Sequence, residues 1–230
     1  MNSYQPAWRR PIARAFRLTA VVPVEWCARF GVSANVVSYS SIAAALAAGA
    51  CFWKAGHWPV LLIVAPLFCY VRLWLNMLDG MVALASGTAS RTGEIANELP
   101  DRVSDVIIFV GVAHSGLCHP LGGYWAAILA LLVAYVGTLG QAVGVQREFS
   151  GLMAKPWRMV ALHAGAWISF ALLSRGEGSF RPGGATVLDF TLLAIIAGCV
   201  QTVAVRLARI VHAIHAPVEP TATPGPQPKE

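Results

Sequence analysis

The chain has 230 residues, of which 57% are hydrophobic and only 12% charged, with a formal net charge of +6. A soluble domain of this length carries about a quarter charged residues, so a single large water-soluble core is excluded. The mean hydropathy of +0.60 points to membrane spans. Five cysteines (Cys27, Cys51, Cys69, Cys118, Cys199) lie singly, which argues against a disulfide framework or a zinc site and reads as small buried apolar residues.

Residues 1–32 open with RRPIARAF, a stretch with the look of a twin-arginine export signal. Pro23, Glu25 and Arg29 interrupt the apolar run behind it and no small-residue cleavage site appears, so that reading is set aside. WRRPIARAFRLTAVVPVEWCARF instead places arginines opposite Phe, Leu, Val and Trp. It is expected to form an amphipathic helix lying in the membrane interface against acidic headgroups.

Residues 33–215 form the expected transmembrane domain. Six apolar segments of spanning length are drawn at 36–53, 58–83, 103–117, 124–145, 157–173 and 186–210. The third is short, and its helix is expected to continue backwards into the polar 93–102 region. Small-residue runs, AAALAAGA at 43–50 and AGAW at 164–167, predict close helix packing. His114 and His163 fall inside spans and read as hydrogen-bonded core residues. Residues 216–230 are Pro-rich and too polar to fold, and are expected to be a disordered tail.

Basic residues set the expected orientation. Arg9, Arg10, Arg14, Arg17 and Arg29, then Arg91 and Arg102, then Arg147, Lys155 and Arg158, and finally Arg206, Arg209 and Lys229 fall on one side. Only Lys54, Arg175 and Arg181 fall on the other. The positive-inside bias puts both termini in the cytoplasm, in what is most simply a bacterial inner membrane. The positive charge therefore suits a lipid surface and anionic ligands, and no nucleic-acid motif accompanies it.

Residues 76–105, NMLDGMVALASGTASRTGEIANELPDRVSD, break the pattern. They hold five of the eleven acidic residues: Asp79, Glu94, Glu98, Asp101 and Asp105. Carboxylates beside lipid are costly and mark function. Asn76 and Asp79 share a helix face three residues apart, and Gly93, Asn97, Asp101 and Asp105 recur every fourth residue. If the two helices are neighbours, their oxygens converge on one hard cation, and magnesium in such a place brings a phosphate with it. Gly80, Gly87 and Gly93 would let a diphosphate approach the backbone. The plainer alternative is ion pairing, of Asp79 and Asp101 with Arg72 or Arg102. Asp105 is balanced between joining the metal set, pairing with Arg102 and capping the third span.

The stretch resembles the signature of the CDP-alcohol phosphotransferase family, DxxDGxxAR-x8-GxxxDxxxD, with every spacing kept as NxxDGxxAL-x8-GxxxNxxxD through Asn76, Asp79, Gly80, Ala83, Leu84, Gly93, Asn97 and Asp101. GVSANVVS (31–38) resembles the family's TPNxxT entry to the first span, and MAKPWRM (153–159) its basic segment before the fifth, so the resemblance covers nearly the whole chain. It implies an all-α membrane enzyme with six spans. Such an enzyme transfers the phosphatidyl group of a CDP-linked lipid, typically CDP-diacylglycerol, to an alcohol with release of CMP. It implies a divalent metal, Mg2+ or else Mn2+, on Asn76, Asp79, Asn97 and Asp101, with Asp101 a ligand or the general base. Gly80, Ala83 and Gly93 would pack against the CDP moiety, and Lys155 and Arg158 would receive an anionic acceptor or phosphate. Members of that family often pair through span contacts, so a homodimer is among the assemblies the resemblance allows.

Three positions depart from the pattern. Asn76 and Asn97 stand for aspartates, and Leu84 for an arginine. The formal charge of the four ligand positions falls from −4 to −2, which favours one metal over two. Arg72, four residues before Asn76, and Arg91 are candidates to replace the missing cation. The same departures motivate a second reading, a family member that binds nucleotide or lipid as a partner subunit without turnover. A transporter is the third, and it lacks the paired interrupted helices or internal repeat that would recommend it. The acceptor alcohol is not encoded in any motif.

Overall fold

The computed structural model describes residues 23–85 apart from 28, then 91–176 and 184–215, with the backbone alone at 84, 85 and 91–97. Six long helices account for most of them: α1 (Ala34–Lys54), α2 (Leu61–Ala85), α3 (Arg91–Ala113), α4 (Pro120–Ala142), α5 (Lys155–Ser174) and α6 (Val187–His215). A short helical segment at 23–27 precedes them. The expected interfacial helix lies mostly, and the Pro-rich tail wholly, outside the described residues.

Each helix starts on a local signal. Ser33 caps α1, its hydroxyl accepting from the Val36 N–H at 3.4 Å. Proline in the first turn opens α4 and α5. At the head of α6 the Thr186 hydroxyl and the Asp189 carboxylate cap each other's N–H groups, at 3.2 and 2.8 Å. The same two side chains hold the loop before α4, for Asp189 Oδ1 accepts from the His119 N–H at 2.6 Å and Thr186 donates to the Leu117 carbonyl at 2.7 Å.

The helices form a closed ring. α1 packs on α2 and α3, α3 on α4, α4 on α6, α6 on α5, and α5 back on α2. One apolar cluster runs through all six, including Phe52, Leu62, Phe109, Ala130, Leu162 and Ile195. Cys69 and Cys199 lie buried in it and all five cysteines are free thiols, as their scattered positions imply. Among the described residues four helices are long and apolar enough to cross a membrane: Ala34–Lys54, Leu61–Ala83, Pro120–Ala142 and Val187–His215. The chain is thus an all-α integral membrane bundle. α3 and α5 are outside that set because each carries charged residues in its first turns.

The short third span becomes the second half of a longer helix that starts at Arg91, and Pro100, which has no N–H to give the helix, marks the join. α3 ends at Ala113, before the turn containing Gly116 (φ +72°). His114 is consequently outside the helix and exposed, with its Nε2 2.8 Å from the Tyr124 hydroxyl. His163 is buried on α5 beside Tyr70, ring centroids 4.2 Å apart, and neither nitrogen has a hydrogen-bond partner among the described residues. The first of the two small-residue runs works at one crossing in particular. A Cβ on Gly111 of α3 would lie 2.3 Å from the Gly49 carbonyl oxygen of α1, so the two backbones touch there. Gly111→Val is expected to lower stability in detergent by about 1–3 kcal/mol, the usual cost of overpacking, read as a lower midpoint in thermal unfolding by size-exclusion chromatography.

Candidate active site

The polar residues gather where α2, α3 and α5 meet. Arg72 of α2 is fully buried; its Nη2 donates to Asp105 Oδ1 and to the Asp101 carbonyl, both at 2.8 Å, and lies 3.3 Å from Asp101 Oδ1. Arg158 of α5, 1% exposed, donates from Nη2 to Asp105 Oδ2 at 2.8 Å and from Nη1 to the Met153 carbonyl at 3.0 Å. Asp105 therefore has one oxygen on each arginine. This buried pair of bridges spans three helices, and it engages Asp105, Arg72 and Arg158 with one another.

One turn nearer the starts of α3 and α5 and the end of α2, Lys155 Nζ bridges two helices by pairing with Asp101 Oδ1 of α3 and donating to Asn76 Oδ1 of α2. Asp79 is 1% exposed and sits one turn along from Asn76. The Ser38 hydroxyl of α1 donates to its Oδ2 at 2.5 Å, while Oδ1 is buried with no hydrogen-bond partner among the described residues. Asp101 and Lys155 are close enough to act on the Asp79 charge. Asn76, Asp79, Asp101 and Lys155 thus share one neighbourhood.

The remaining candidates fall in three groups. Among the described residues a Cβ on Gly80 would meet nothing within 4 Å, and Ala83 is half-buried three residues on. Arg91, Gly93 and Asn97 lie on the first turns of α3, with their side chains outside the described residues, as is that of Leu84. Glu98 pairs with Arg102 and, at 2.7 Å, with Arg147 of the loop after α4. Burial would raise the Glu98 carboxyl, and these two guanidinium groups more than offset it, holding it below the usual carboxylate range.

Lys155 is placed by a loop that sequence reading did not single out. Arg206 of α6 donates to the Ser150 carbonyl at 2.9 Å and the Val133 carbonyl at 2.6 Å. The Thr202 hydroxyl accepts from the Met153 N–H at 2.9 Å, and Gln201 Oε1 from the Leu152 N–H at 3.2 Å. No short motif announces these contacts. Ser38 is different: it is the last residue of the GVSANVVS stretch, and that resemblance already carried the signal.

Among the described residues no three His, Cys, Asp or Glu side chains converge as a metal-binding group. The Asp101 carboxylate and the Asn76 amide, on adjoining helices, hold the Lys155 ammonium between them, with the Asp79 carboxylate buried nearby. The bundle is one that known membrane proteins share, and the chain is a member of the CDP-alcohol phosphotransferase superfamily. It shares its family with inner membrane protein YnbA of Escherichia coli (strain K12), to which it is 30% identical over 146 residues, 62% of this chain and 69% of that protein. A phosphatidylinositol phosphate synthase of Streptomyces avermitilis is 27% identical over 212 residues, 86% of this chain and 80% of that one. Among solved structures, the phosphatidylinositol phosphate synthase of Mycobacterium tuberculosis superposes with a TM-score of 0.67 in its CDP-DAG complex and 0.68 in its complex with manganese and citrate. Both are 20% identical and cover 84% of this chain, with 94% and 88% of those chains covered. No protein-family model matches the chain.

Asp105→Asn strips the charge shared by two buried guanidinium groups, and is expected to cost about 3–5 kcal/mol. Chemical unfolding in detergent reads this directly, and adding Arg158→Met should recover part of the loss because one of the stranded charges goes with it.

Proposed function

We propose that the protein is a membrane phosphotransferase that moves the phosphatidyl group of a CDP-linked lipid, such as CDP-diacylglycerol, to an alcohol, releasing CMP in phospholipid synthesis. The observation carrying this reading is that Asn76 of α2 and Asp101 of α3 reach one and the same cationic atom, with Asp79 buried alongside. The activity named for the Streptomyces and Mycobacterium relatives, together with the CDP-DAG complex of the latter, supports it.

The donor set fits a hard divalent cation. Its oxygens come from Asp79, Asp101 and the Asn76 amide, and Asp79 Oδ1 is a buried acceptor with no hydrogen-bond donor on it among the described residues. Of the four positions Asn76, Asp79, Asn97 and Asp101, we assign the metal foremost to Asp79, whose buried oxygen no cation pairs with among the described residues, with Mg2+ the expected ion and Mn2+ the alternative. Asp105, held by Arg72 and Arg158, supports the set through the packing of α3. When bound, the metal neutralises diphosphate charge and polarises the phosphoryl oxygen.

The chain's own residues do the rest. Ser38 fixes the Asp79 carboxylate, so its free oxygen is oriented in advance. The face at Gly80, with Ala83 and Gly93, takes the CDP moiety. Asp101 receives the hydroxyl proton of the acceptor as its oxygen bonds to the lipid-side phosphorus and the bond to CMP breaks. Lys155, with an 18% exposed side chain, is the basic group positioned to meet the anionic phosphate or acceptor. Arg158 and Arg72 stand behind it and keep the surroundings positive.

In the membrane we read α3 and α5 as two further spans, giving six, with both termini and the site cytoplasmic in a bacterial inner membrane and a homodimer as the compatible assembly. Their charged first turns would lie at the cytoplasmic interface, where side chains such as Lys155 reach water. The amides at 76 and 97 favour one other reading, a partner subunit that binds nucleotide without turnover.

Purified protein with CDP-diacylglycerol, Mg2+ and a panel of alcohols should release CMP. Asp79→Asn and Asp101→Asn should each lower kcat by on the order of 10²-fold or more. CDP binding by calorimetry with no CMP from any alcohol would select the non-catalytic reading. Gly80→Leu should raise the KM for the CDP-lipid by about tenfold, equivalent to ~1.4 kcal/mol, while the thermal midpoint stays put, because its Cβ meets nothing within 4 Å among the described residues.

A further inference from the structure

The proposed site faces a diphosphate with little negative charge of its own to gather cations. Its described donors are two carboxylates, Asp79 and Asp101, and the neutral amide of Asn76. Between Asn76 Oδ1 and Asp101 Oδ1 stands the Lys155 ammonium. Its position is built into the fold. Lys155 is the first residue of α5, and the loop delivering it is fastened through Ser150 to Arg206, Leu152 to Gln201 and Met153 to both Thr202 and Arg158. Asp79 contrasts with this. Asp79 Oδ1 and Asp101 Oδ1 are both buried without a hydrogen bond among the described residues, and of the two only the Asp101 oxygen lies within ion-pair range of cations, Lys155 and Arg72.

We propose that Lys155 is a tethered cation of the site: its ammonium takes the position between Asn76 and Asp101, and a single divalent ion binds on the Asp79 side. The inference rests on the phosphotransferase reading and deepens it. A second divalent ion on the same two oxygens would sit against a fixed positive charge at contact range, and repulsion there, in partly buried surroundings, weakens binding by well over ~10-fold. The amide adds an oxygen but no charge to offset this. One ammonium and one divalent ion against two carboxylates leave a net single positive charge, directed at the diphosphate. The amide at position 76 and the lysine at 155 are then two halves of one adaptation, since an aspartate at 76 would serve a second metal and an asparagine suffices to hold a lysine.

The test counts metal without measuring turnover. Full-length protein in nanodiscs is titrated with Mn2+ alone, with free Mn2+ followed by electron paramagnetic resonance. The wild type should bind one Mn2+ per chain, and so should Lys155→Arg. Lys155→Met should bind Mn2+ at least about tenfold more tightly, and Asn76→Asp with Lys155→Met should bind two. Should Lys155→Met not fold, Asn76→Asp alone decides, because the resident lysine should keep it at one ion. Two ions or none in the wild type, an unchanged affinity in Lys155→Met, or a second ion in Asn76→Asp alone would each overturn the proposal. Loss of the phosphotransferase reading looks different: no CMP from any alcohol, with the Mn2+ count and its dependence on Lys155 intact.

Discussion

The buried bridge from Arg72 through Asp105 to Arg158 is the interaction on which the bundle depends. It joins α2, α3 and α5 below the surface where the site opens, and α2 and α3 otherwise touch only lightly. Two guanidinium groups around one carboxylate leave excess positive charge in a place that water barely reaches. The Asp101 and Met153 carbonyls take further N–H groups, while Arg72 Nε and Nη1 and Arg158 Nε have no hydrogen-bond partner among the described residues. The same positive excess lies just behind Lys155 and Asp101. The scaffold that sets the distance between α2 and α3 therefore also sets the field felt by any phosphate that enters.

Charge at this site is distributed unusually. Asp101 serves the scaffold through Arg72 and the site through Lys155, so one side chain couples packing to chemistry. Asp79 is tied to neither arginine and depends on Ser38 of α1 for its orientation. α1, apart from that hydroxyl, contributes mainly close packing, and its contact with α3 at Gly49 and Gly111 draws α3 toward α2. The two carboxylates are thus positioned by different means, one by a hydroxyl on a tightly packed neighbour and one by cations.

Much of this was legible in the residues. Spans were visible as apolar runs because four of the helices meet lipid over much of their surface, and the fourfold stripe on α3 was visible because helices bring every fourth residue to one face. The helix continuing into 93–102 came from the same periodicity. What could not be read was which partner each charge takes. Arg72 looked like a substitute for the arginine missing at position 84, yet it lies wholly buried against Asp105, a choice set by the packing of α5 on α2. Asp105 was balanced between metal, Arg102 and capping, and the partners it takes come from α2 and α5, distant in sequence. The hold of α6 on the loop before Lys155 uses main-chain carbonyl and N–H groups, which no motif reveals.

Arg206 carries a consequence for biogenesis. It rides in a helix hydrophobic enough to enter the bilayer from the translocon, and a guanidinium there costs about 2.5–3.5 kcal/mol until it is satisfied. Its carbonyl partners, Val133 and Ser150, belong to α4 and to the segment beyond it, both synthesised earlier. Leaving the ribosome after both, α6 should accordingly find its seat only once they are in place. Its docking then draws the Ser150 segment into register, so that the surface around Lys155 matures only after α6 is seated.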